Sequence, residues 1–319
     1  MTGALASVAG PNDGLKIDPA TQARHPKVRI DILICTFRRP GIALTLGSVA
    51  AQQGHGAEMR VIVADNDETD ARRAEIEACA VSLSLPLTYL HAPARNISQA
   101  RNAALATSDA DWVAFIDDDE IAPKSWLAGL REAAAQSGAD AVFGPSVAIY
   151  DSTAPEWMVA LDLHSNRPVS RHGRVETGHT CNALLRWRGT PWQDQRFDPA
   201  RGRTGGEDTE FFFRLARLGA VYARAEAVVL EPVAPNRLAL RWLLRRRFRM
   251  GQSHASIAFG LPRRAAVFCT AFAKAGFCLA ACLIAPSRLK RRFWMLRGVL
   301  HCGVCAGCLS LRQPALYGG

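Results

Sequence analysis

The chain has 319 residues and a formal net charge of +10. From residue 232 to the C-terminus it carries 15 Lys and Arg and no Asp or Glu, which leaves a net charge of −5 for the rest. Because the basic residues are confined to one segment, the charge pattern disfavours a uniformly basic nucleic-acid-binding protein. Nine cysteines in a chain of this length do not indicate a small disulfide framework, and reduced thiols facing the cytoplasm are expected.

The first 27 residues mix Gly, Pro, Asp and Ala and carry no clear secondary-structure signal. They lack a basic region followed by an unbroken apolar core, so no secretory signal is expected. We predict a disordered leader over residues 1–27.

The next part of the chain alternates apolar strands with helices. Strands are predicted at residues 29–36, 60–64, 87–90, 112–116 and 140–149. Helices are predicted at residues 42–53 and 98–107, with Thr69 as a candidate N-cap of another helix between them. Such alternation is typical of βαβ units, and it predicts an α/β fold with a mostly parallel sheet flanked by helices.

Polar side chains follow three of these predicted strands at the point where each strand ends. Thr36 ends the first, Asp65 and Asn66 follow the second, and the acidic run Asp117 to Glu120 follows the fourth. In parallel sheets ligands bind beyond the carboxyl ends of the strands. The three strand ends therefore predict one shared ligand site.

The acidic run Asp117-Asp118-Asp119-Glu120 is the most informative of these features. Adjacent carboxylates repel one another unless a cation offsets their charge, and oxygen ligands favour Mg²⁺ or Mn²⁺. The alternative is a solvated loop or a cap for the following helix. Because the run directly follows an apolar strand in a βαβ series, we favour the metal site.

A second pair of carboxylates, Glu207-Asp208, follows Gly205-Gly206 near the start of another predicted helix. A positioned Asp can act as a general base that takes a proton from a hydroxyl. The alternative is an ordinary cap favoured by the helix dipole. The two glycines indicate a close backbone approach and favour a functional loop.

Beyond residue 235 the composition changes. Residues 241–249 form a basic helix candidate, and two apolar stretches follow at 265–285 and 293–311, separated by a basic cluster at 288–292. The first stretch is borderline for a membrane span and the second is doubtful. A hairpin on or in the membrane, with its arginines on anionic lipid, explains both properties. Two helices buried against the sheet are the alternative.

The order of the motifs resembles that of inverting family 2 glycosyltransferases with the GT-A fold, close to exopolysaccharide (succinoglycan-type) enzymes. The motifs cover residues 28–232 and consist of Ile34-Cys-Thr-Phe-Arg-Arg-Pro40, Val61-Ile-Val-Ala-Asp-Asn66, Ala94-Arg-Asn-Ile-Ser-Gln-Ala-Arg-Asn102, Phe115-Ile-Asp-Asp-Asp-Glu120 and Gly206-Glu-Asp-Thr-Glu210. Each motif is weak alone, whereas the ordered set is specific.

The resemblance implies a role for particular residues. A nucleotide-sugar site would contain Thr36, Arg38, Asp65, Asn66, Arg95, Arg101 and Asp117. Asp119, with Asp117, would hold Mg²⁺ or Mn²⁺, and Asp208 would be the catalytic base. No role is assigned to Asp118 or Glu120. The cluster at 245–247 is similar to cationic groups near the diphosphate in related enzymes, or is a lipid-facing basic helix.

We therefore expect a GT-A catalytic domain over residues 28–235 and a basic, apolar, helical membrane-associating segment over residues 236–319. The expected reaction is inverting, metal-dependent transfer of a hexose from a nucleotide-diphosphate sugar, with a UDP-sugar as the first expectation. The acceptor is a lipid-linked oligosaccharide of exopolysaccharide or cell-surface polysaccharide synthesis, at the cytoplasmic face of the membrane, with peripheral or monotopic attachment. No nucleic-acid partner is expected.

Two other classes compete with this reading. A nucleotidyltransferase would share the strand-end carboxylates, but residues 36–40 lack the expected glycine-rich loop. A non-enzymatic, basic membrane-surface or nucleic-acid-binding module would leave the carboxylates without a role.

Overall fold

A computed structural model of the protein describes residues 27–171, 174–255 and 261–309, so the predicted leader lies outside the described residues except for Lys27. The strands are β1 (Arg29–Thr36), β2 (Glu58–Asp65), β3 (Leu87–His91), β4 (Trp112–Ile116), β5 (Ala141–Phe143), β6 (Ser146–Ile149), β7 (Ser170–Arg171), β8 (Arg174–Val175), β9 (Asn182–Arg186), β10 (Tyr222–Arg224) and β11 (Val229–Pro232). The helices are α1 (Ile42–Ala50), α2 (Arg73–Ser82), α3 (Ile97–Thr107), α4 (Trp126–Ser137), α5 (Glu156–Ala160), α6 (Glu207–Arg217), α7 (Leu240–Ala255), α8 (Leu261–Ile284) and α9 (Arg288–Cys308).

Seven strands form the central sheet in the order β10-β5-β9-β4-β1-β2-β3. All neighbours in it are parallel except β9, which runs antiparallel to both β4 and β5. The predicted α/β fold with a mostly parallel sheet is confirmed. Because β1, β2 and β4 are parallel neighbours, their carboxyl ends lie side by side at one edge.

Helices cover both faces of this sheet, since side chains of successive strand residues point to opposite faces. On one face Ile32 and Ile34 of β1 pack in a cluster with apolar residues of α1, α2 and α4. On the other face Leu33 packs with apolar residues of α3 and α6. The strands are thus buried on both sides, which explains their continuous apolar sequence.

The structure corrects two predictions about individual elements. The single strand predicted over residues 140–149 is two strands, β5 in the central sheet and β6 paired with β11, because the chain changes sheet at Gly144-Pro145. Thr69 is not an N-cap, since α2 begins only at Arg73.

The described part of the C-terminal segment contains the helices α7, α8 and α9, and α9 packs against both α7 and α8. The backbones of α7 and α9 approach closely at glycines, because a Cβ at Gly303 would lie 1.9 Å from the carbonyl oxygen of Phe248. Leu243 of α7 and Leu296 of α9 are buried in one cluster with Met158 of α5 and Leu163. This cluster fixes the position of α7 and α9 relative to the sheet.

Candidate active site

The ends of β1, β2 and β4 meet at one edge of the sheet, as predicted. Thr36 is buried at the end of β1, and its hydroxyl donates a hydrogen bond of 2.7 Å to Oδ2 of Asp118. Its carbonyl oxygen accepts the backbone N–H of Asn66 at 2.8 Å. The three strand ends are therefore joined directly to one another.

The second strand end holds a dense set of polar contacts. Asp65 is buried, and its two carboxylate oxygens accept from the hydroxyl of Tyr89 at 2.7 Å and from the backbone N–H of Asp67 at 3.0 Å. Asn66 is also buried, and its Oδ1 accepts the backbone N–H of Asn96 at 2.9 Å. These contacts fix the positions of the polar side chains that follow β2.

Two arginines of the predicted nucleotide site flank this strand end. Arg38 contacts Asp67 at 2.9 Å, and Arg95 contacts Glu68 at 3.2 Å. Both have a positive backbone φ, 54° for Arg38 and 47° for Arg95. Non-glycine residues adopt that conformation infrequently, and such positions cluster at functional sites. Both guanidinium groups therefore lie close to the acidic residues that follow β2.

Arg101 occupies the interior of the site. It lies on α3, is 7% exposed, and forms a buried ion pair with Glu207 at the start of α6. Its Nη2 also lies 3.8 Å from Oδ1 of Asp117. Arg101 therefore links the acidic run to the Glu207-Asp208 pair, two features that are far apart in the sequence.

Asp119 is paired with two arginines to which the sequence analysis assigned no role. Arg39, which follows β1, approaches it at 3.1 Å, and Arg237, which follows β11, approaches it at 3.3 Å. Arg237 also pairs with Glu231 and lies over the ring of Trp242 on α7. Arg39 could have been found from the sequence, because it adjoins Arg38 in the first motif. The sequence around Arg237 gave no indication that this residue contacts the acidic run.

The cluster at 245–247 does not make this contact with Asp119. Arg247 donates to the carbonyl oxygen of Leu163 at 3.5 Å, and Arg246 lies over Trp242. Arg237, which precedes the cluster, contacts Asp119 of the acidic run. The placement of the cluster near the diphosphate stays a prediction.

The acidic run carries more negative charge than the described cations offset. Burial, together with neighbouring carboxylates, raises the pKa of Asp117 to about 7 and that of Asp118 to about 6. Burial and the charge of Asp117 likewise raise the pKa of Glu120, whose Oε1 is buried without a hydrogen-bond partner. Asp118 and Glu120 are thus buried parts of the site and not solvated bystanders.

These residues fit a divalent cation that is held in part by its substrate. Asp117 and Asp119 offer hard oxygen ligands. Because burial and like charges raise the pKa of Asp117 and Asp118, a nearby cation would stabilise their ionised forms. Among the described residues no group of three or more His, Cys, Asp or Glu forms a metal site by itself. Two carboxylates plus phosphate oxygens are the usual ligands of such a magnesium ion.

Asp208 lies in the first turn of α6. The residue before this helix, Gly206, packs so closely on α7 that only glycine fits. Gly206 has a φ of 84°, and a Cβ there would lie 2.8 Å from the side chain of Ser253 on α7. Asp208 accepts from the backbone N–H of Thr209 at 2.7 Å and contacts Nδ1 of His179 at 3.0 Å. Burial opposes ionisation, but His179 and Arg101 prevail and lower the pKa of Asp208 to about 2.

The arrangement of sheet, helices and acidic strand end is that of the GT-A fold, which two solved structures share. Mannosyltransferase PcManGT from Pyrobaculum calidifontis, solved with GDP-Man and Mn²⁺, superimposes with a TM-score of 0.61 at 18% identity, over 89% of this chain and 88% of that chain. S. aureus TarS 1-349 in complex with UDP superimposes with a TM-score of 0.50 at 16% identity, over 89% and 91%. At these identities the likeness establishes the fold.

Sequence comparison establishes the family. The model described as Glycosyl transferase family 2 matches residues 31–188, and that described as Glycosyl transferase family group 2 matches residues 112–311. The succinoglycan biosynthesis protein ExoM of Rhizobium meliloti (strain 1021) is 46% identical over 298 residues, which cover 91% of this chain and 96% of that protein. The chain therefore belongs to glycosyltransferase family 2, and the nucleotidyltransferase and non-enzymatic alternatives are set aside.

Proposed function

We propose that this glycosyltransferase moves a hexose from a nucleotide-diphosphate sugar, with a UDP-sugar first in line, to a lipid-linked oligosaccharide in exopolysaccharide synthesis. The observation that supports it most is the meeting of the acidic run with Arg101 and Glu207-Asp208 at one sheet edge. The 46% identity to the succinoglycan protein supports the exopolysaccharide pathway, and the UDP complex of TarS supports the donor class.

The proposed donor site uses the residues at the strand ends. Thr36, Asp65 and Asn66 form the cleft for the base and ribose, with Arg38 and Arg95 at its rim. Asp117 and Asp119 hold Mg²⁺ or Mn²⁺, which when bound offsets the charge of the diphosphate. Arg101 fixes Asp117 relative to α6.

The proposed chemistry is inversion at the anomeric carbon. Asp208 takes the proton of the acceptor hydroxyl as its oxygen attacks the face opposite to the departing nucleoside diphosphate. Arg39 and Arg237, which now pair with Asp119, lie where positive charge would stabilise the leaving group. Such preorganised electrostatics is usually the largest catalytic contribution.

Donor profiling tests this proposal. The full-length protein would be offered UDP-, GDP- and dTDP-hexoses, together with membranes from cells whose own copy of the gene is deleted, with and without Mn²⁺. We expect one UDP-hexose to give a labelled glycolipid that depends on the metal and has an inverted anomeric configuration. Activity that survives chelation would remove the role given to Asp119, and transfer from none of the donors would contradict the proposal.

We also propose that the segment over residues 236–319 attaches the enzyme to the cytoplasmic face of the membrane. The most apolar 18 residues of α8 have a mean hydropathy of 2.0. Only 11% of these residues are buried within the protein. Its exposed residues include Phe272 (68%), Phe277 (63%) and Leu283 (76%). The basic residues 288–292, which begin α9, follow this surface after a short connection. A lipid-linked acceptor gives this surface a purpose, since attachment keeps the domain near its substrate.

Vesicle flotation tests the attachment. We expect the full-length protein to float with phosphatidylglycerol-containing vesicles, and expect Phe272→Ser with Leu283→Ser to weaken this strongly. Leu44→Ser with Val81→Ser is the matched control, because these residues are exposed to nearly the same extent, 67% and 79%, but lie on α1 and α2. Equal loss in both double variants would contradict a specific role of α8.

A further inference from the structure

His179 contacts Asp208 from a separate part of the chain. The two residues lie 29 positions apart, and Nδ1 of His179 is 3.0 Å from Oδ2 of Asp208. His179 belongs to the connection between β8 and β9, whereas Asp208 belongs to α6. The contact is therefore a product of the tertiary fold and not of a local turn.

The connection that carries His179 is fastened on both sides of this residue. Thr177 donates its hydroxyl to the carbonyl oxygen of Thr209 at 2.9 Å, which ties the segment to the same turn of α6. Gly178 lies directly on Phe143 of β5, since a Cβ there would come within 2.0 Å of the ring. Thr180 and Asn182 are buried. Because the backbone on both sides of His179 is held in place, its imidazole can fix the position of the Asp208 carboxylate.

Asp208 has a donor on each of its oxygens. Oδ1 accepts the backbone N–H of Thr209 at 2.7 Å, and Oδ2 faces Nδ1 of His179. An ionised carboxylate only accepts hydrogen bonds, so the contact requires the proton on Nδ1. Oδ1 also accepts from the hydroxyl of Thr209 at 3.4 Å, whereas Oδ2 keeps a lone pair for a further hydrogen bond, and the side chain is 19% exposed.

We propose that His179 is a positioning residue for Asp208: its Nδ1–H donates to Oδ2 and directs the carboxylate toward the acceptor hydroxyl. This inference rests on the proposed function, in which Asp208 is the base. His179 itself takes no proton in the step. The hydroxyl proton passes to Asp208 while the new glycosidic bond forms, and the electron pair of the broken bond leaves with the nucleoside diphosphate.

Other charged groups face this pair from the neighbouring helices. Asp208 is near Arg101 of α3, which favours its ionised form, and near Glu207, which opposes it. His179 is near Glu207 and near Arg246 of α7, which act on it in opposite directions. Burial opposes the charged form of His179, but Asp208 outweighs it and raises the pKa of His179. Because Nδ1 carries its proton in both protonation states, the donation to Asp208 persists across this titration.

Three variants of the full-length protein test the inference, with the hexose donor and acceptor membranes that support wild-type transfer. We expect His179→Ala to lower kcat about 10- to 100-fold, while the donor KM stays close to that of the wild type. We expect the acidic limb of the pH profile to move to higher pH, because Asp208 loses a donor that favours its ionised form. A purely structural role would not shift that limb.

His179→Asn should recover most of the lost kcat, because its amide N–H can replace Nδ1–H without a titrating ring. His55→Ala is the matched control, since His55 lies in the loop before β2, at the opposite edge of the sheet. Wild-type kcat in His179→Ala, or an Asn variant no better than Ala, would overturn the inference. Should the Ala variant fail to fold, an inactive but folded Asn variant overturns it equally.

Failure of the proposed function would look different. In that case the wild type transfers no hexose, or Asp208→Asn keeps its turnover, and the His179 variants then have no reaction to affect. Loss of transfer in Asp208→Asn combined with wild-type behaviour of His179→Ala would reject the positioning role alone.

Discussion

The carboxyl edge of the central sheet and the outer face of α8 have opposite surface chemistry. At the sheet edge, buried carboxylates and arginines of α3, the β1 loop and the C-terminal segment are in contact with one another. On α8 the exposed face is almost entirely apolar, and Lys274 is its one charged residue between Ala265 and Ile284. We have proposed a metal-bound nucleotide sugar as the ligand of the first surface, and a lipid membrane as the partner of the second.

The largest effect is expected where the two proposed catalytic carboxylates are removed. Asp208→Asn and Asp119→Ala should each lower transfer by about a thousandfold or more, because one removes the base and the other the metal ligand. Turnover of the purified variants would be measured beside Asp109→Asn, an exposed carboxylate at the opposite edge. Near-wild-type turnover in either site variant, with circular dichroism unchanged, would contradict the assignment.

The next largest effect is a difference in unfolding free energy between the loss of a buried ion pair and the loss of an exposed one. Arg101→Met leaves Glu207 buried without its partner and should cost about 3–5 kcal/mol of unfolding free energy. Arg29→Met, which breaks the exposed pair with Asp109, should cost about 1 kcal/mol or less. Urea unfolding measures both values. Equal losses would mean that the Arg101–Glu207 pair is not the buried link described here.

The sequence predicted the sheet edge better than it predicted the contacts within it. Apolar strands ending in polar residues are a local pattern, so Thr36, Asp65 and the acidic run could be placed from the sequence. The partners of Asp119 could not, because Arg237 lies 118 residues away and reaches the site only through the packing of β11. The contact of His179 with Asp208 was missed for the same reason.

The break of the predicted 140–149 strand has a different cause. Apolar residues lie on both sides of Gly144-Pro145 in that stretch, and local propensity does not reveal that the two halves join different sheets. Strand partners decide this, and they come from β9, β10 and β11 much later in the chain.

A pH-dependent effect should distinguish Asp118 from surface carboxylates. Its side chain is 10% exposed, and burial raises its pKa to about 6 in the folded protein. Between about pH 4 and pH 6 the folded protein keeps a proton that the unfolded chain has released. The contribution of this group to stability is therefore present at low pH and lost as the pH rises through 6.

Asp118→Asn should remove this dependence and keep the hydrogen bond from Thr36. We expect the stability difference between wild type and variant to change by up to about 3 kcal/mol between pH 4 and pH 7, measured by urea unfolding with chelator present. Asp162→Asn is a control of opposite sign, because hydrogen bonds and Arg167 outweigh burial and lower the pKa of Asp162. Parallel curves for wild type and Asp118→Asn would show that Asp118 is ionised without penalty.

The smallest effect on stability is expected at the basic start of α9, where we expect a clear effect on vesicle binding. Lys290 and Arg291 are exposed, and Lys290→Gln with Arg291→Gln should leave unfolding free energy within about 0.5 kcal/mol. Near an anionic lipid surface each cation contributes about 1 kcal/mol, so affinity for phosphatidylglycerol-containing vesicles should fall about 30-fold. Lys124→Gln with Arg131→Gln, on the catalytic domain, should leave this affinity unchanged.

Affinity for pure phosphatidylcholine vesicles should be the same in all three proteins, because it depends on the apolar face of α8. If Lys290→Gln with Arg291→Gln also lost affinity for phosphatidylcholine vesicles, these residues would act by holding α8 in place and not by their charge.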